Sequence, residues 1–343
     1  MLMDTVRALC PLFGPSGLED EVRAYICREA EPYADEMTVT PNGTLIVFKK
    51  GRKTPKRRVL LAAHMDEVGV IVTSIMESGF LRFAFIGGMD RRVVLGKKVF
   101  LGPDRIPGMI GMKPIHLTDK DERKRIPKVR DLYIDIGAKD RAAAEALVEE
   151  GTFGCFDPEI TDLQNGFLRA KALDDRVGCA ILLETLKEEL PVDTWFAFTV
   201  QEEIGSKGAF GAAFHVEPDV ALILEGTSAA DTPDRDGADR VCVPLHGPVL
   251  SMMDKGSIYD PGLFRLLRDL AEERNIPWQI KTRLAGTTDA RAMQTNLNGC
   301  KVAGISAPLR YIHSPSCVGN VKDFEAMKVL VGAFLERMED YHG

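Results

Sequence analysis

The chain has 343 residues, 45% hydrophobic and 28% charged, with a formal net charge of −7, which describes a globular protein of about two domains and argues against nucleic acid as a partner. No apolar run approaches a membrane span and the N-terminus has no signal-peptide core, so no membrane partner and a cytoplasmic location are expected. Seven scattered cysteines (10, 27, 155, 179, 242, 300 and 317) without a Cys-x-x-Cys exclude a disulfide framework or zinc knuckle and predict reduced thiols.

After a short first helix, Ser16 and Glu19 read as a capping box that opens an amphipathic helix through about Glu29. A strand at Thr44–Phe48 and a fully apolar strand at Val59–Ala63 flank the basic run Lys49–Arg58, which reads as a solvated hairpin loop. From Gly69 to about Phe167 short β-rich pieces (Val70–Ser74, Phe80–Phe85, Lys97–Leu101, Leu132–Ile136) and one helix (Asp140–Glu150) alternate with Gly, Pro and charged turns. That texture predicts a small barrel-like β domain, 69–167, inserted into a main domain made of 1–68 and 168–343. Beyond it the α/β rhythm returns. Helices are expected at Val177–Leu190, from Ser206, at Pro261–Glu273, at Ala290–Asn296 and from Val321, with strands at Thr194–Val200, Val220–Leu224, Trp278–Thr282 and Val302–Ser306. Unalternating apolar strands between helices predict a central mixed sheet covered on both faces.

Several apolar strands or turns end in a side chain able to bind a hard metal: His64-Met-Asp66, Leu173-Asp-Asp-Arg176, Val200-Gln-Glu-Glu203, Leu224-Glu225 and Tyr311-Ile-His313. In open α/β sheets, sites form at the carboxyl ends of strands. His64, Asp174, Glu203, Glu225 and His313 can therefore converge although they are remote in sequence. Two imidazoles and three carboxylates suit zinc, cobalt or manganese. Five ligands exceed what one tetrahedral ion with an open position accepts, and fit two ions sharing a carboxylate. Of the adjacent acids Glu202 and Glu203, one can bind metal while the other handles a proton. Each residue also has a plain reading. Asp174 and Asp175 can cap the following helix, Glu225 can pair with an arginine, and His313 can be a turn residue. His116, His215, His246 and His342 lack strand-end context, and Gly205–Gly211 reads as close helix packing rather than a phosphate loop.

The segments His64-Met-Asp-Glu-Val-Gly69, Ala172-Leu-Asp-Asp-Arg176, Gln201-Glu-Glu-Ile-Gly205, Gly286-Thr-Thr-Asp-Ala290 and Tyr311-Ile-His-Ser-Pro315 occur in this order. Together they resemble the M42 metallo-aminopeptidases, the tetrahedral or glutamyl-aminopeptidase-like group, some of whose members are labelled endoglucanase M. The resemblance implies that His64 and Glu225 hold one metal, Glu203 and His313 the other, and Asp174 bridges them, with a cis peptide between Asp174 and Asp175. It implies Glu202 as general base, Asp66 behind His64, and Asp175 and Asp289 as supporting residues. It further implies hydrolysis of N-terminal residues from short peptides by a water activated between two divalent ions, zinc first, with cobalt or manganese as alternatives. The barrel then resembles a dimerisation module of a homo-oligomeric tetrahedral dodecamer, with a dimer as the smaller form. Three positions depart from the family pattern. Glu225 stands where many members have Asp, Thr287 where Gly is usual, and Cys317 where an acid often follows the His-Ser-Pro segment. A related dizinc carboxypeptidase or deacylase and an endoglucanase are the alternative activities.

Overall fold

The computed structural model describes residues 1–341. Helices α1 (Leu2–Leu9) and α2 (Asp20–Ala30) precede strands β1 (Glu36–Val39), β2 (Leu45–Lys49) and β3 (Val59–His64). Next come β4 (Gly69–Ile75), β5 (Leu81–Ile86), β6 (Lys98–Leu101), β7 (Ile106–Met112), β8 (Leu132–Asp135), the short helix α3 (Arg141–Glu145) and β9 (Phe153–Phe156). The chain continues through β10 (Thr161–Asp162), β11 (Phe167–Ala170), α4 (Leu173–Leu186), β12 (Thr194–Thr199), α5 (Lys207–Val216) and β13 (Val220–Ser228). It ends with β14 (Val249–Leu250), α6 (Pro261–Glu273), β15 (Gln279–Ile280), α7 (Ala290–Gln294), β16 (Lys301–Leu309), β17 (Cys317–Asn320) and α8 (Val321–Met338).

The main sheet has eight strands in the order β1-β2-β12-β3-β13-β16-β14-β15. Its four central strands, β12, β3, β13 and β16, run parallel. Every residue of β3 is buried, which explains its unbroken apolar run. Val59, Leu61 and Ala63 pack with α1, α2, α4, α6 and α8, while Leu60 and Ala62 pack with α5 and α7 on the opposite face. The expected mixed sheet with helices on both faces is therefore present.

Strands β4 to β9 close a six-strand barrel in the order β4-β5-β8-β7-β6-β9, filled by Val70, Val72, Leu81, Phe83, Val99, Leu101, Ile110, Ile134 and Phe156. Two of its strands are absent from the sequence expectation. Residues 106–112 carry Pro107, Gly108 and Gly111, which read as turn signals, and Phe153–Phe156 is too short for any period. Glycine is required in that last strand, because a Cβ on Gly154 would lie 2.6 Å from Leu101 and 2.8 Å from Val70.

Three local expectations are corrected. Ser16 and Glu19 form no capping box: α2 starts at Asp20 without a side-chain cap, and the Ser16 hydroxyl donates to Asp66 instead (2.5 Å). The basic run is not a hairpin loop, since β12 lies between β2 and β3 and pairs with both. Its cations dress helix ends. Lys49 donates to the Leu186 and Glu188 carbonyls after α4 (2.7 and 2.8 Å), Arg58 donates to the Val216 carbonyl at the end of α5 (2.6 Å), and Lys53 pairs with Glu339 beyond α8 (2.5 Å). Positive charge is stabilised there by the carbonyl ends of the helix dipoles. Finally, element ends shift by a few residues. The most consequential shift is in β13, which runs on to Ser228 because β16 keeps pairing with it as far as Leu309.

Candidate metal centre

The centre forms where the parallel strands stop together. His64 closes β3 and pairs with Thr199, the last residue of β12. Gln201 then turns the chain with φ +58°, and Glu202 and Glu203 follow. The β3–β13 ladder ends at Ile223–Ala62 while β13–β16 continues, so a crevice opens beside Glu225, which is inside its strand rather than at its end. Asp174 lies between β11 and the regular part of α4, across a cis peptide bond to Asp175. His313 sits on the turn after β16, where Tyr311 and His313 both adopt positive φ. All five candidate ligands meet in this crevice.

They meet as two groups of three, His64–Asp174–Glu225 and Asp174–Glu203–His313, each with its ligand atoms within 4.8 Å of one another. Asp174 belongs to both and turns one oxygen to each. Its Oδ1 is 3.5 Å from His64 Nε2 and its Oδ2 is 3.6 Å from His313 Nε2. Glu225 Oε2 lies 3.7 Å from His64 Nε2, and Glu203 Oε2 lies 3.3 Å from His313 Nε2. His64 Nδ1 faces the Asp66 carbonyl at 3.1 Å and the Asp66 carboxylate at 3.4 Å. A donor shared in that direction leaves the Nε2 lone pair aimed into the cluster.

Behind these residues the polar groups interlock. The Asp66 carboxylate accepts from the backbone amides of Glu202 (2.9 Å) and Glu203 (3.1 Å) and from the Ser16 hydroxyl. Asp175 accepts from the Gly178 amide (3.0 Å), capping α4 as the sequence suggested, while its Oδ2 is buried without a partner among the described residues. Asp289 accepts from the Thr199 hydroxyl, and its Oδ1 is likewise unpartnered. Ser206 lies 3.4 Å from both the Glu202 carboxylate and the Thr288 carbonyl, tying Glu202 to the 286–290 segment. Thr287 precedes this contact. The buried Cys317 thiol donates to the Tyr311 carbonyl (3.6 Å), so it props the turn that carries His313. Underneath, buried Lys171 and Arg176 pair with Glu67 (2.6 and 3.4 Å), and Arg176 holds the Met65 carbonyl (2.7 Å).

Seven carboxylates (Asp66, Asp174, Asp175, Glu202, Glu203, Glu225, Asp289) surround two imidazoles. Burial pushes Glu202, Glu225 and Asp175 well above the usual carboxylate range, Glu203 up to about 7 and Asp289 up to about 6. Burial opposes charge on His313, but Asp174 and Glu203 outweigh it and lift the imidazole to about 9. Burial likewise opposes charge on Asp174, yet its contacts with the two histidines pull its carboxyl down. Such a surplus of buried acid is costly unless cations offset it. The clustered imidazole and carboxylate donors, with more buried acid than the two imidazoles can balance, thus fit divalent ions.

The three other described histidines, 116, 215 and 246, are exposed and away from the cluster; His342 lies outside the described residues. Gly208 packs as expected, since a Cβ there would fall 2.5 Å from both Thr44 and the Val200 amide. All seven cysteines are free. Ser16 and Ser206 read locally as a helix cap and a helix start; their part in the centre was missed because both act on segments brought near only by the fold. Among the described residues no helix is long and apolar enough to cross a membrane.

A mixed sheet between two helical layers, a six-strand barrel inserted after its third strand, and histidine–carboxylate groups at the strand ends define the zinc-peptidase-like class. The chain belongs to the M42 glutamyl aminopeptidase family, whose profile matches residues 43–330. A protein of Acetivibrio thermocellus, provisionally named an aminopeptidase, is 36% identical over 97% of this chain and 98% of its own. The lysyl aminopeptidase of Pyrococcus furiosus is 32% identical (95% and 94% covered), and the glutamyl aminopeptidase of Lactococcus lactis 31% (97% and 96%). Among solved structures, a TET aminopeptidase from a marine-sediment thaumarchaeon superposes with a TM-score of 0.94 at 36% identity, covering 99% of this chain and 97% of that one. The TET1 peptidase of Pyrococcus horikoshii, described as assembling into a tetrahedron or a large octahedral shell, gives 0.85 at 32% identity (98% and 99%).

Proposed function

We propose that the protein is a metal-dependent aminopeptidase that removes N-terminal residues from short peptides. The observation that carries this reading is the pair of three-residue groups joined through Asp174, one carboxylate oxygen to each. In this reading His64 and Glu225 would hold one divalent ion and Glu203 and His313 a second, with Asp174 offering one oxygen toward each group. Zinc suits the set, with cobalt or manganese as substitutes. When bound, the ions supply Lewis acidity toward a water and the scissile carbonyl.

The remaining chemistry belongs to the chain. Glu202, beside Glu203 but outside both groups, is placed to take a proton from the attacking water and return it to the departing amine. In the metal-free chain its burial and the neighbouring Asp289 and Glu203 push its carboxyl up, a shift that bound cations would oppose. Asp66 orients His64 and fixes the turn, while Asp175 and Asp289 brace the segments that carry Asp174 and Glu202. The acidic surroundings attract the positive α-amine of a free N-terminus, which selects an exopeptidase.

Two relatives of nearly equal identity are named for a basic and an acidic substrate residue, so the preferred side chain is not inherited from the family. We assign 1–68 with 168–343 to catalysis and 69–167 to dimerisation, within a homo-oligomer that reaches a tetrahedral dodecamer, with a dimer as the fallback state. A panel of aminoacyl chromogenic substrates, assayed on chelated protein reloaded with zinc, cobalt or manganese, tests the activity. Hydrolysis of amino-blocked peptides or cello-oligosaccharides in place of free aminoacyl substrates would overturn it. Light scattering of the same samples tests the assembly.

A further inference from the structure

Glu19 sits at the start of α2, where a carboxylate ordinarily caps its own helix. It makes no such bond. Its buried side chain instead turns Oε1 to the Gly17 amide (2.7 Å) and to the amide of Gln201 (3.1 Å), 182 residues further along the chain. Gln201 is the residue whose φ of +58° reverses the chain after β12. The next two amides, of Glu202 and Glu203, end on Asp66. Three successive backbone N–H groups are thus held by two carboxylates from different segments. Those segments are themselves tied together, by the Ser16–Asp66 bond and by the Ser16 amide donating to the Glu67 carbonyl (3.2 Å).

We infer that Glu19 is a positioning residue for the catalytic turn: it clamps Gln201, and through it sets the direction in which Glu202 and Glu203 leave the strand. This inference rests on the proposed roles of those two glutamates. A non-glycine residue with positive φ persists only where its surroundings hold it. Releasing the Gln201 amide lets the turn relax toward an ordinary backbone conformation and swings both side chains. Burial pushes the Glu19 carboxyl up to about 7, and glutamine keeps the carbonyl acceptor of its neutral form.

The test compares Glu19→Ala and Glu19→Gln with the wild-type holoenzyme. In Glu19→Ala, kcat is expected to fall about 10- to 100-fold, the scale of a misplacement of 1 Å or less, with KM little changed and metal held less tightly, since Glu203 shifts with Glu202. Glu19→Gln keeps the acceptor and should restore most of the rate. Amide hydrogen exchange across 200–206 should quicken in Glu19→Ala and return toward wild type in Glu19→Gln. If the alanine variant does not fold, Glu19→Met fills the space without an acceptor and takes its place. Wild-type exchange in 200–206 for the alanine or methionine variant overturns the inference, as does a glutamine variant as impaired as alanine. A wild-type enzyme inactive on every aminoacyl substrate would instead overturn the proposed function, while the exchange measurement still decides the clamp.

Discussion

Replacing Asp66 with asparagine changes almost no volume, yet it should damage both stability and turnover. Each Asp66 oxygen serves a backbone donor: Oδ1 accepts from Glu202 N–H at 2.9 Å, and Oδ2 accepts from Glu203 N–H at 3.1 Å as well as from Ser16. An asparagine has one acceptor oxygen. Whichever way its amide points, an NH2 group faces a backbone N–H about 3 Å away, so one buried donor is orphaned. Ser16 can rotate and His64 can change tautomer, but a peptide N–H has no alternative. The orphan costs about 1–3 kcal/mol, and the lost charge-assisted bonds to His64 and Ser16 bring the total to about 3 kcal/mol. For a chain of this size that corresponds to a fall in melting temperature on the order of 4 °C. The same orphan sits on the turn that aims Glu202, so kcat should drop by about 10²-fold. Calorimetry and steady-state kinetics on metal-replete protein check both numbers. An Asp66→Asn variant that melts and turns over like the wild type would show that Asp66 does not hold the turn.

Three further perturbations address the centre itself. Glu202→Gln should lower turnover by about 10²- to 10⁴-fold while metal content stays at the wild-type level, and undiminished turnover would remove Glu202 from proton transfer. Asp174→Ala should deplete both metal positions, as measured by elemental analysis; loss of a single equivalent would mean that Asp174 serves one ion only. Chelated protein should lose stability as pH rises. Burial pushes Glu203 up to about 7 in the fold against 4.5 for a free glutamate, so the folded state holds the extra proton between those values and is penalised progressively across them. His313 acts in the same direction. With its folded pKa at about 9 against 6.5, its stabilisation is complete below pH 6.5 and disappears as pH rises through 9. Denaturation midpoints at pH 5 and pH 9 should therefore diverge for chelated protein and lie closer together after reloading. A chelated protein equally stable at both would contradict the charge balance drawn for the crevice.

The main sheet was legible because its central strands are buried on both faces and advertise this with unbroken apolar runs, as in Val59–Ala63. The candidate ligands were legible for a related reason. His64, Asp174, Glu203 and His313 are polar residues placed where a buried strand or turn ends, and Glu225 interrupts an apolar strand, positions that local structure alone seldom demands. Barrel strands β7 and β9 were not legible. Their glycines look like turns, whereas in the fold Gly154 makes room for Leu101 and Val70, its partners on the two neighbouring strands.

What holds the centre in place left the faintest trace. The pattern of Ser16 and Glu19, three residues apart before an apolar run, belongs to a helix cap, and a local reading has no reason to doubt it. The fold gives both side chains longer-range partners, because a turn carrying adjacent buried glutamates exposes three amides that need acceptors where water is scarce. The requirement is visible in the sequence, as Glu202 and Glu203 after a buried strand. The residues that meet it are not, since any carboxylate the topology delivers to that spot would serve. The same asymmetry applies to Cys317: an acid would suit the surface beside a metal site, but a small buried thiol under the His313 turn becomes intelligible only when the Tyr311 carbonyl is seen above it.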